Sequence, residues 1–256
     1  MVDWTYTNRT TKPRTNGVTM IMDKGLGLHA FEDMLSLAAP YIDFIKLGFG
    51  TLALTPEHIA KEKLKLAQRY GVNLYPGGTF FEVAHIEKQI ENYLDWLQEL
   101  GFKWVEISNG VVEYQAEERS YYIKKAKKKN FQVITEIGKK DAGSTTSVSS
   151  FINQFQSDVE SGASYVILEG RETGENIGIF NEQGDVDVNY VQNLHQSIDS
   201  NKCIWETPKK SQQVTLMKII GSQVNLGNIA PADAMAVEAL RHGLRADTIK
   251  LWRDLK

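Results

Sequence analysis

The chain has 256 residues, of which 42% are hydrophobic and 24% charged, and its formal net charge is -3. This composition is normal for a globular protein with a sizeable core. The small net charge gives no reason to expect a nucleic-acid or membrane partner. No apolar stretch approaches the roughly 18 residues of a membrane-spanning helix, and the polar N-terminus lacks a signal region. We therefore expect a cytoplasmic protein.

The single cysteine, Cys203, lies within an apolar run. It has no partner in the chain for a disulfide, which fits a reducing compartment. We interpret it as a buried structural thiol rather than a nucleophile.

A polar lead-in, residues 1–16, precedes a predicted domain of residues 17–256. Within this domain, a short apolar run followed by charged or glycine residues and then a helical pattern occurs eight times. The predicted strands are 18–22, 44–47, 72–75, 103–107, 131–134, 165–168, 203–205 and 223–226.

The helical patterns between these strands have apolar residues on one face. The clearest one carries Ile86, Ile90, Tyr93 and Leu97 and predicts a single helix that stops at Gly101. Residues 141–150 are small and polar and predict a mobile loop. The loop 173–187 has the length typical of a functional loop or lid.

Strands that alternate with helices predict parallel pairing and right-handed crossovers. Eight such units in a chain of this length favour a single-domain (β/α)8 TIM barrel. A doubly wound open sheet is the alternative that the pattern leaves open.

In a barrel, catalytic groups lie at the carboxyl ends of the strands. Carboxylates follow strands four to seven at equivalent positions: Glu106, Glu136, Glu169 and Glu206. Basic or polar residues follow the same or neighbouring strands: Lys24, Lys46, Thr79, Asn109, Lys139, Arg171, Lys209, Asn225 and Asn228. Taken singly, each is most simply a solvated or salt-bridged loop residue, but the recurrence around one rim favours a shared site.

Several inward-facing carboxylates repel one another unless a cation neutralises them, and oxygen ligands favour Mg²⁺. The basic residues on the same rim suit a phosphate or carboxylate substrate. The glycines Gly77 and Gly78 allow backbone N–H groups to approach an anion closely. We therefore expect a small phosphorylated substrate, a divalent metal and a lysine that moves a proton.

Eight rim motifs resemble those of the phosphosulfolactate synthase family, in order and across nearly the whole chain. They are Asp23-Lys24-Gly25, Lys46-Leu47-Gly48-Phe49-Gly50-Thr51, Tyr75-Pro76-Gly77-Gly78-Thr79-Phe80-Phe81-Glu82, Glu106-Ile107-Ser108-Asn109-Gly110, Glu136-Ile137-Gly138-Lys139-Lys140, Glu169-Gly170-Arg171-Glu172, Pro208-Lys209-Lys210-Ser211-Gln212-Gln213 and Val224-Asn225-Leu226-Gly227-Asn228-Ile229-Ala230. The resemblance implies a (β/α)8 enzyme that uses Mg²⁺ to add sulfite to phosphoenolpyruvate, giving (2R)-phospho-3-sulfolactate. In archaea this reaction opens coenzyme M biosynthesis, and in spore-forming bacteria related chains are linked to sulfolactate.

The resemblance also implies roles for residues of this chain. Lys139, in preference to Lys140, becomes the general acid that protonates the enediolate. Lys46 and Arg171 become further catalytic residues that hold phosphate or sulfite. The four glutamates are the pool of metal ligands, and the expected substrate contacts are Lys24, Gly77, Gly78, Thr79, Asn109, Lys209, Asn225 and Asn228.

Two other functions remain open from the sequence. One is a Mg²⁺-dependent lyase or aldolase acting on another enolpyruvyl-type substrate. The other is a non-catalytic, stress-related protein on the same scaffold, against which the retained rim charges argue. The sequence leaves assembly into a homo-oligomer open.

Overall fold

A computed structural model describes residues 9–138, 146–171 and 173–252 of the chain. Eight short strands form one sheet in which every recorded pair is parallel. The strands are β1 Thr19–Asp23, β2 Phe44–Leu47, β3 Asn73–Pro76, β4 Trp104–Ser108, β5 Gln132–Ile137, β6 Tyr165–Leu168, β7 Cys203–Glu206 and β8 Leu226–Ile229.

Helices connect the strands and cover the outside of the sheet. They are α1 Leu28–Ala38, α2 Glu57–Arg69, α3 Gly78–Ile86, α4 Ile90–Leu100, α5 Ala116–Lys128, α6 Val148–Ser161, α7 Val188–Ser197, α8 Lys210–Ile220, α9 Ala234–Arg241 and α10 Ala246–Trp252.

The strand order is β3-β2-β1-β8-β7-β6-β5-β4, so the first and last strands pair and the sheet curls almost into a closed cylinder. β3 and β4 lie side by side at the seam, without a recorded ladder in the described chain. The predicted single-domain (β/α)8 barrel is confirmed.

Alternation along each strand separates two apolar cores. Ile45, Val105 and Val133 point outwards and pack under the helices. Phe44 and Ile134, with Ile167 and Ile204, point inwards and fill the barrel. Two positions after each of these four inward-facing residues the chain has a charged residue. Alternation along the strands therefore places charged side chains inside the carboxyl end of the barrel: Lys46, Glu136, Glu169 and Glu206.

One helix was predicted where the structure has two. The chain leaves α3 after Ile86, and Lys88 takes a left-handed conformation with φ of 58° before α4 begins at Ile90. The apolar residues suggested one helix because α3 and α4 both bury apolar side chains. The break between the two helices does not interrupt that pattern in the sequence.

β8 begins three residues later than predicted. Valine, as at Val224, is common in strands, whereas glycine and asparagine, as at Gly227 and Asn228, are rare in them. The glycine is nevertheless required within the strand, because a Cβ at Gly227 would lie 2.8 Å from Met20 Cε and 2.9 Å from Ile204 Cγ2 inside the barrel.

The described part of the lead-in, residues 9–16, lies against the amino end of the barrel. Arg9 forms a salt bridge with Glu238 and Arg14 one with Asp43. Lys12 Nζ donates to the carbonyls of Ala39 and Ile42. In the described residues, no helix has both the length and the apolar character needed to cross a bilayer.

Candidate active site

The carboxyl end of the barrel carries a buried cluster of charged side chains. Lys46 on β2, Glu106 on β4, Glu136 on β5 and Glu206 on β7 continue the inward-facing rows, and Glu169 follows the last residue of β6. Each is at most 6% exposed. Strand alternation therefore brings these five charges together in a site that is largely shielded from solvent.

Lys46 lies at the centre of this cluster. Its Nζ is 2.7 Å from Glu136 Oε2, 3.0 Å from Glu106 Oε1 and 3.3 Å from Glu206 Oε1. A single ammonium group thus faces three carboxylates, and Glu169 adds a fourth acid nearby.

The imbalance of charge is visible in the pKa values. Burial raises the pKa of Glu106 to about 8, although Lys46 opposes this shift. Burial and the neighbouring carboxylates also raise the pKa of Glu169 well above its ordinary value, and they raise that of Glu206. Burial alone would lower the pKa of Lys46, but Glu106, Glu136 and Glu206 raise it well above its ordinary value. The lysine therefore stays charged, and the four carboxyl groups outnumber the single ammonium group among them.

Three of the four acids have the arrangement of a metal site. One carboxylate oxygen each from Glu136, Glu169 and Glu206 lies within 4.8 Å of the other two. Buried carboxylates in excess over positive charge form the donor set that a hard divalent cation such as Mg²⁺ prefers. The residues present therefore fit such an ion.

Glu106 has different partners. Its Oε1 accepts from the backbone N–H of Gly78 at 2.6 Å, at the start of α3, and pairs with Lys46. Gly78 must be glycine, because a Cβ there would lie 2.5 Å from Ser108 Oγ and 2.7 Å from Glu106 Oε1. The Gly78 N–H thus approaches an anion, but that anion is a side chain of the protein, and the Gly77 N–H donates to the Leu47 carbonyl at 2.9 Å.

Two residues on the rim have unusual backbone conformations. Arg171 and Asn228 have φ of 55° and 56°. Asn228 Nδ2 donates to the carbonyl of Arg171 at 2.6 Å, and the Arg171 N–H donates to Glu169 Oε1 at 2.6 Å. These bonds fix the backbone from which the Arg171 guanidinium extends.

A narrow cavity of about 50 Å³ lies at this cluster, which is space for one or two water molecules. Eight of the predicted site residues line it: Lys46, Gly77, Thr79, Glu136, Glu169, Arg171, Glu206 and Asn228. Glu106 and Gly78 lie directly beside it through their contacts with Lys46 and with each other.

Residues 7–247 match the family model described as (2R)-phospho-3-sulfolactate synthase (ComA). A phosphosulfolactate synthase from Methanothermobacter thermautotrophicus is 42% identical over 94% of each chain. One from Bacillus subtilis is 37% identical over 95% of this chain and 96% of its own. The chain belongs to the phosphosulfolactate synthase family.

Solved structures of lower sequence identity share only the fold. The YdjI aldolase from Escherichia coli K12 superposes with a TM-score of 0.56 at 12% identity, over 93% of this chain and 85% of its own. N-acetylneuraminate lyase from Mycoplasma synoviae gives a TM-score of 0.53 at 14% identity, over 91% and 76%. These matches agree with the barrel topology and carry no argument about the reaction.

Four other residues predicted from the family motifs are not among those that line the cavity. Lys24 is exposed, 5.7 Å from the ring of Phe49. Asn109 accepts a hydrogen bond from Arg119 at 2.9 Å. Lys209 precedes α8 and pairs with Glu175.

The fourth, Asn225, lies at the opposite end of the barrel because β8 starts only after it. Its Oδ1 accepts from the Val18 N–H at 2.8 Å, and its Nδ2 donates to the carbonyls of Asn201 and Cys203. These contacts fasten the amino end of the barrel. Lys139 lies outside the described residues.

The sequence did not indicate four residues at or near this site: Met22, Phe49, Arg119 and Asp158. Met22 lines the cavity beside Lys46, and strand alternation on β1 could have identified it. Phe49 lines it from the loop after β2. Arg119 pairs with the buried Asp158 and donates to the Glu136 carbonyl at 3.0 Å, contacts that no local pattern signals.

Proposed function

We propose that this chain adds sulfite to phosphoenolpyruvate in the presence of Mg²⁺, giving (2R)-phospho-3-sulfolactate. Membership of the family supports the overall reaction. The observation that carries the proposal is the buried excess of carboxylates, which lines one cavity together with Arg171. Such a site suits an anionic substrate that is bound together with a divalent cation.

Glu136, Glu169 and Glu206 are the residues that would hold the metal, which would act as a Lewis acid for charge on the substrate carboxylate. Lys46 keeps its proton, because its pKa is raised well above the ordinary value by three carboxylates. Lys46 therefore balances the charge of the acids and orients them.

In the proposed reaction, the sulfur lone pair of sulfite forms a bond with the methylene carbon of phosphoenolpyruvate. The electron pair of the double bond moves onto the substrate carboxylate, and the carbon that bears the phosphate then receives a proton. We assign that proton to Lys139, which follows Gly138 in the sequence and regains a proton from solvent. Arg171 and Asn228 hold anionic oxygens of the substrates, a task for which a guanidinium is well suited.

The test is turnover of phosphoenolpyruvate with sulfite, followed by detection of the C–S product, with Mg²⁺ and with a chelator. We expect metal-dependent product formation by the unaltered chain. Lys139→Ala should lose about 10²- to 10⁴-fold in rate, the contribution typical of general acid catalysis. Lys140→Ala is the matched control and should retain most of the rate.

A chain that binds phosphoenolpyruvate and Mg²⁺ but forms no product with sulfite would refute the proposal and favour a lyase that uses another nucleophile. Loss of rate in Lys140→Ala alone would move the acid to the neighbouring lysine.

A further inference from the structure

The loop between β6 and α7, residues 173–187, is packed against the site. Ile177, Ile179 and Phe180 are buried, and Ile177 and Phe180 exchange backbone hydrogen bonds. A Cβ at Gly178 would lie only 2.7 Å from the carbonyl oxygen of Glu169. The segment predicted as a functional loop or lid therefore packs, in this structure, against the backbone of Glu169, a residue of the site.

One buried amide holds both ends of this loop. Gln212, in the first turn of α8, donates from Nε2 to the Gly174 carbonyl at 2.7 Å and to the Gly184 carbonyl at 3.0 Å. Its Oε1 accepts from the Lys209 N–H at 3.0 Å, which caps α8. The side chain is 1% exposed, so water cannot readily replace these bonds.

The segment held by Gln212 begins three residues after Arg171. Among the residues that the structure describes, no hydrogen bond or ion pair is recorded for the Arg171 guanidinium, although its backbone N–H and carbonyl are both bonded. The direction of the guanidinium therefore depends on the path of the chain on either side of it. Glu169 and Asn228 hold the N–H and the carbonyl of Arg171 itself, and Gln212 holds the loop from Gly174 onwards.

We propose that Gln212 is a positioning residue: through the loop 173–187 it holds Arg171 where an anionic group of the substrate binds. The proposal rests on the proposed function, in which Arg171 binds such a group. A merely structural role would lower stability without a specific effect on substrate affinity.

The experiment measures phosphoenolpyruvate affinity by titration calorimetry, together with KM and kcat, in Gln212→Ala and in the nearly isosteric Gln212→Glu. We expect the Kd and KM for phosphoenolpyruvate to rise about tenfold, with kcat within about threefold, the signature of a lost binding contact that is equal in the ground state and the transition state. Gln213→Ala is the matched control, because Gln213 is the adjacent buried amide and, within the described residues, donates to the Thr207 carbonyl rather than to the loop. Its phosphoenolpyruvate KM should stay within about twofold.

A double-mutant cycle decides the mechanism. If Gln212 acts through Arg171, the Kd of Gln212→Ala with Arg171→Ala should equal that of Arg171→Ala alone. Additive effects of the two changes would overturn the proposal, as would equal effects of Gln212→Ala and Gln213→Ala. The cycle uses binding alone, so a chain that binds phosphoenolpyruvate without sulfite turnover would refute the proposed function and still test Gln212.

Discussion

The two ends of the barrel bury carboxylates in opposite ways. Glu106 at the carboxyl end and Glu238 at the amino end are 0% and 3% exposed. Glu106 shares one lysine with two other acids. Glu238 accepts two bonds from Arg9, at 2.8 and 3.1 Å, and lies 3.0 Å from His242 Nε2.

This difference in partners reverses the effect of burial. Burial raises the pKa of Glu106 to about 8, and the single lysine does not compensate. Burial acts in the same direction on Glu238, but the hydrogen bonds from His242 and Arg9 lower its pKa to about 2. Asp43 lies at the same end as Glu238, yet burial still raises its pKa despite Arg14. The number of direct donors, rather than the end of the barrel, therefore decides whether a buried acid is satisfied.

Buried carboxylates that stabilise the fold thus differ in their partners from those that suit a functional site. A carboxylate whose donors are all supplied by the protein contributes to stability. We expect a cluster that remains short of positive charge to gain stability when a cation binds and to lose that gain when the cation is removed.

The largest effect is expected at the carboxyl end. Glu206→Gln removes one of three close carboxylates but keeps the size of the side chain. We expect Mn²⁺ affinity, measured by electron paramagnetic resonance, to fall by about 100-fold or more and turnover to fall with it. Without metal, the same variant should melt at a higher temperature than the unaltered chain, because repulsion between the acids is reduced. Unchanged Mn²⁺ affinity would remove Glu206 from the metal site.

The next effect is at the amino end, where the substitution should lower stability instead of raising it. Glu238→Gln leaves the Arg9 guanidinium without its buried counter-ion, so the free energy of unfolding should fall by about 3 kcal/mol. Urea unfolding measures this loss. The specific activity of the folded protein should not change. Glu57→Gln is the control, since its pair with Lys61 is exposed and should contribute less than about 0.5 kcal/mol.

The same residue predicts a dependence on pH. The pKa of Glu238 is lowered from 4.5 to about 2, so the unfolded chain binds this proton more tightly than the native chain. Its stabilising contribution of roughly 3 kcal/mol is complete above the unfolded pKa and is lost as the pH falls towards 2. The difference in the free energy of unfolding between the unaltered chain and Glu238→Gln should therefore narrow by roughly 1.4 kcal/mol between about pH 6 and about pH 3.5. A gap that stays constant over this range would show that another group is responsible.

The strand pattern was sufficient to predict the barrel and most of the carboxyl rim. A charged residue two positions beyond an inward-facing Phe44 or Ile134 must also face inwards, so Lys46 and Glu136 follow from alternation alone. The sequence could not show that Glu106 binds the start of α3 or that Gln212 closes a loop 28 residues away, because both depend on tertiary contacts.

The prediction that Asn225 lies at the carboxyl rim was wrong for a local reason. Strand propensity assigned β8 to residues before Gly227, although barrel packing requires that glycine inside the strand. Moving the strand by three residues transfers Asn225 to the amino end and leaves Asn228 at the rim.

These two asparagines, three residues apart, give the smallest predicted effects. Asn225→Ala leaves the Val18 N–H and two carbonyls without their buried partner, so the free energy of unfolding should fall by about 2 kcal/mol with the phosphoenolpyruvate KM unchanged. Asn228→Ala releases the Arg171 carbonyl and should raise that KM several-fold, with a loss of stability of about 1 kcal/mol from the left-handed backbone. Thermal melting and steady-state kinetics on both variants check this division. A raised KM in Asn225→Ala would mean that the two ends of the barrel are coupled, because the hydrogen bonds that the structure describes for the Asn225 side chain lie at the amino end.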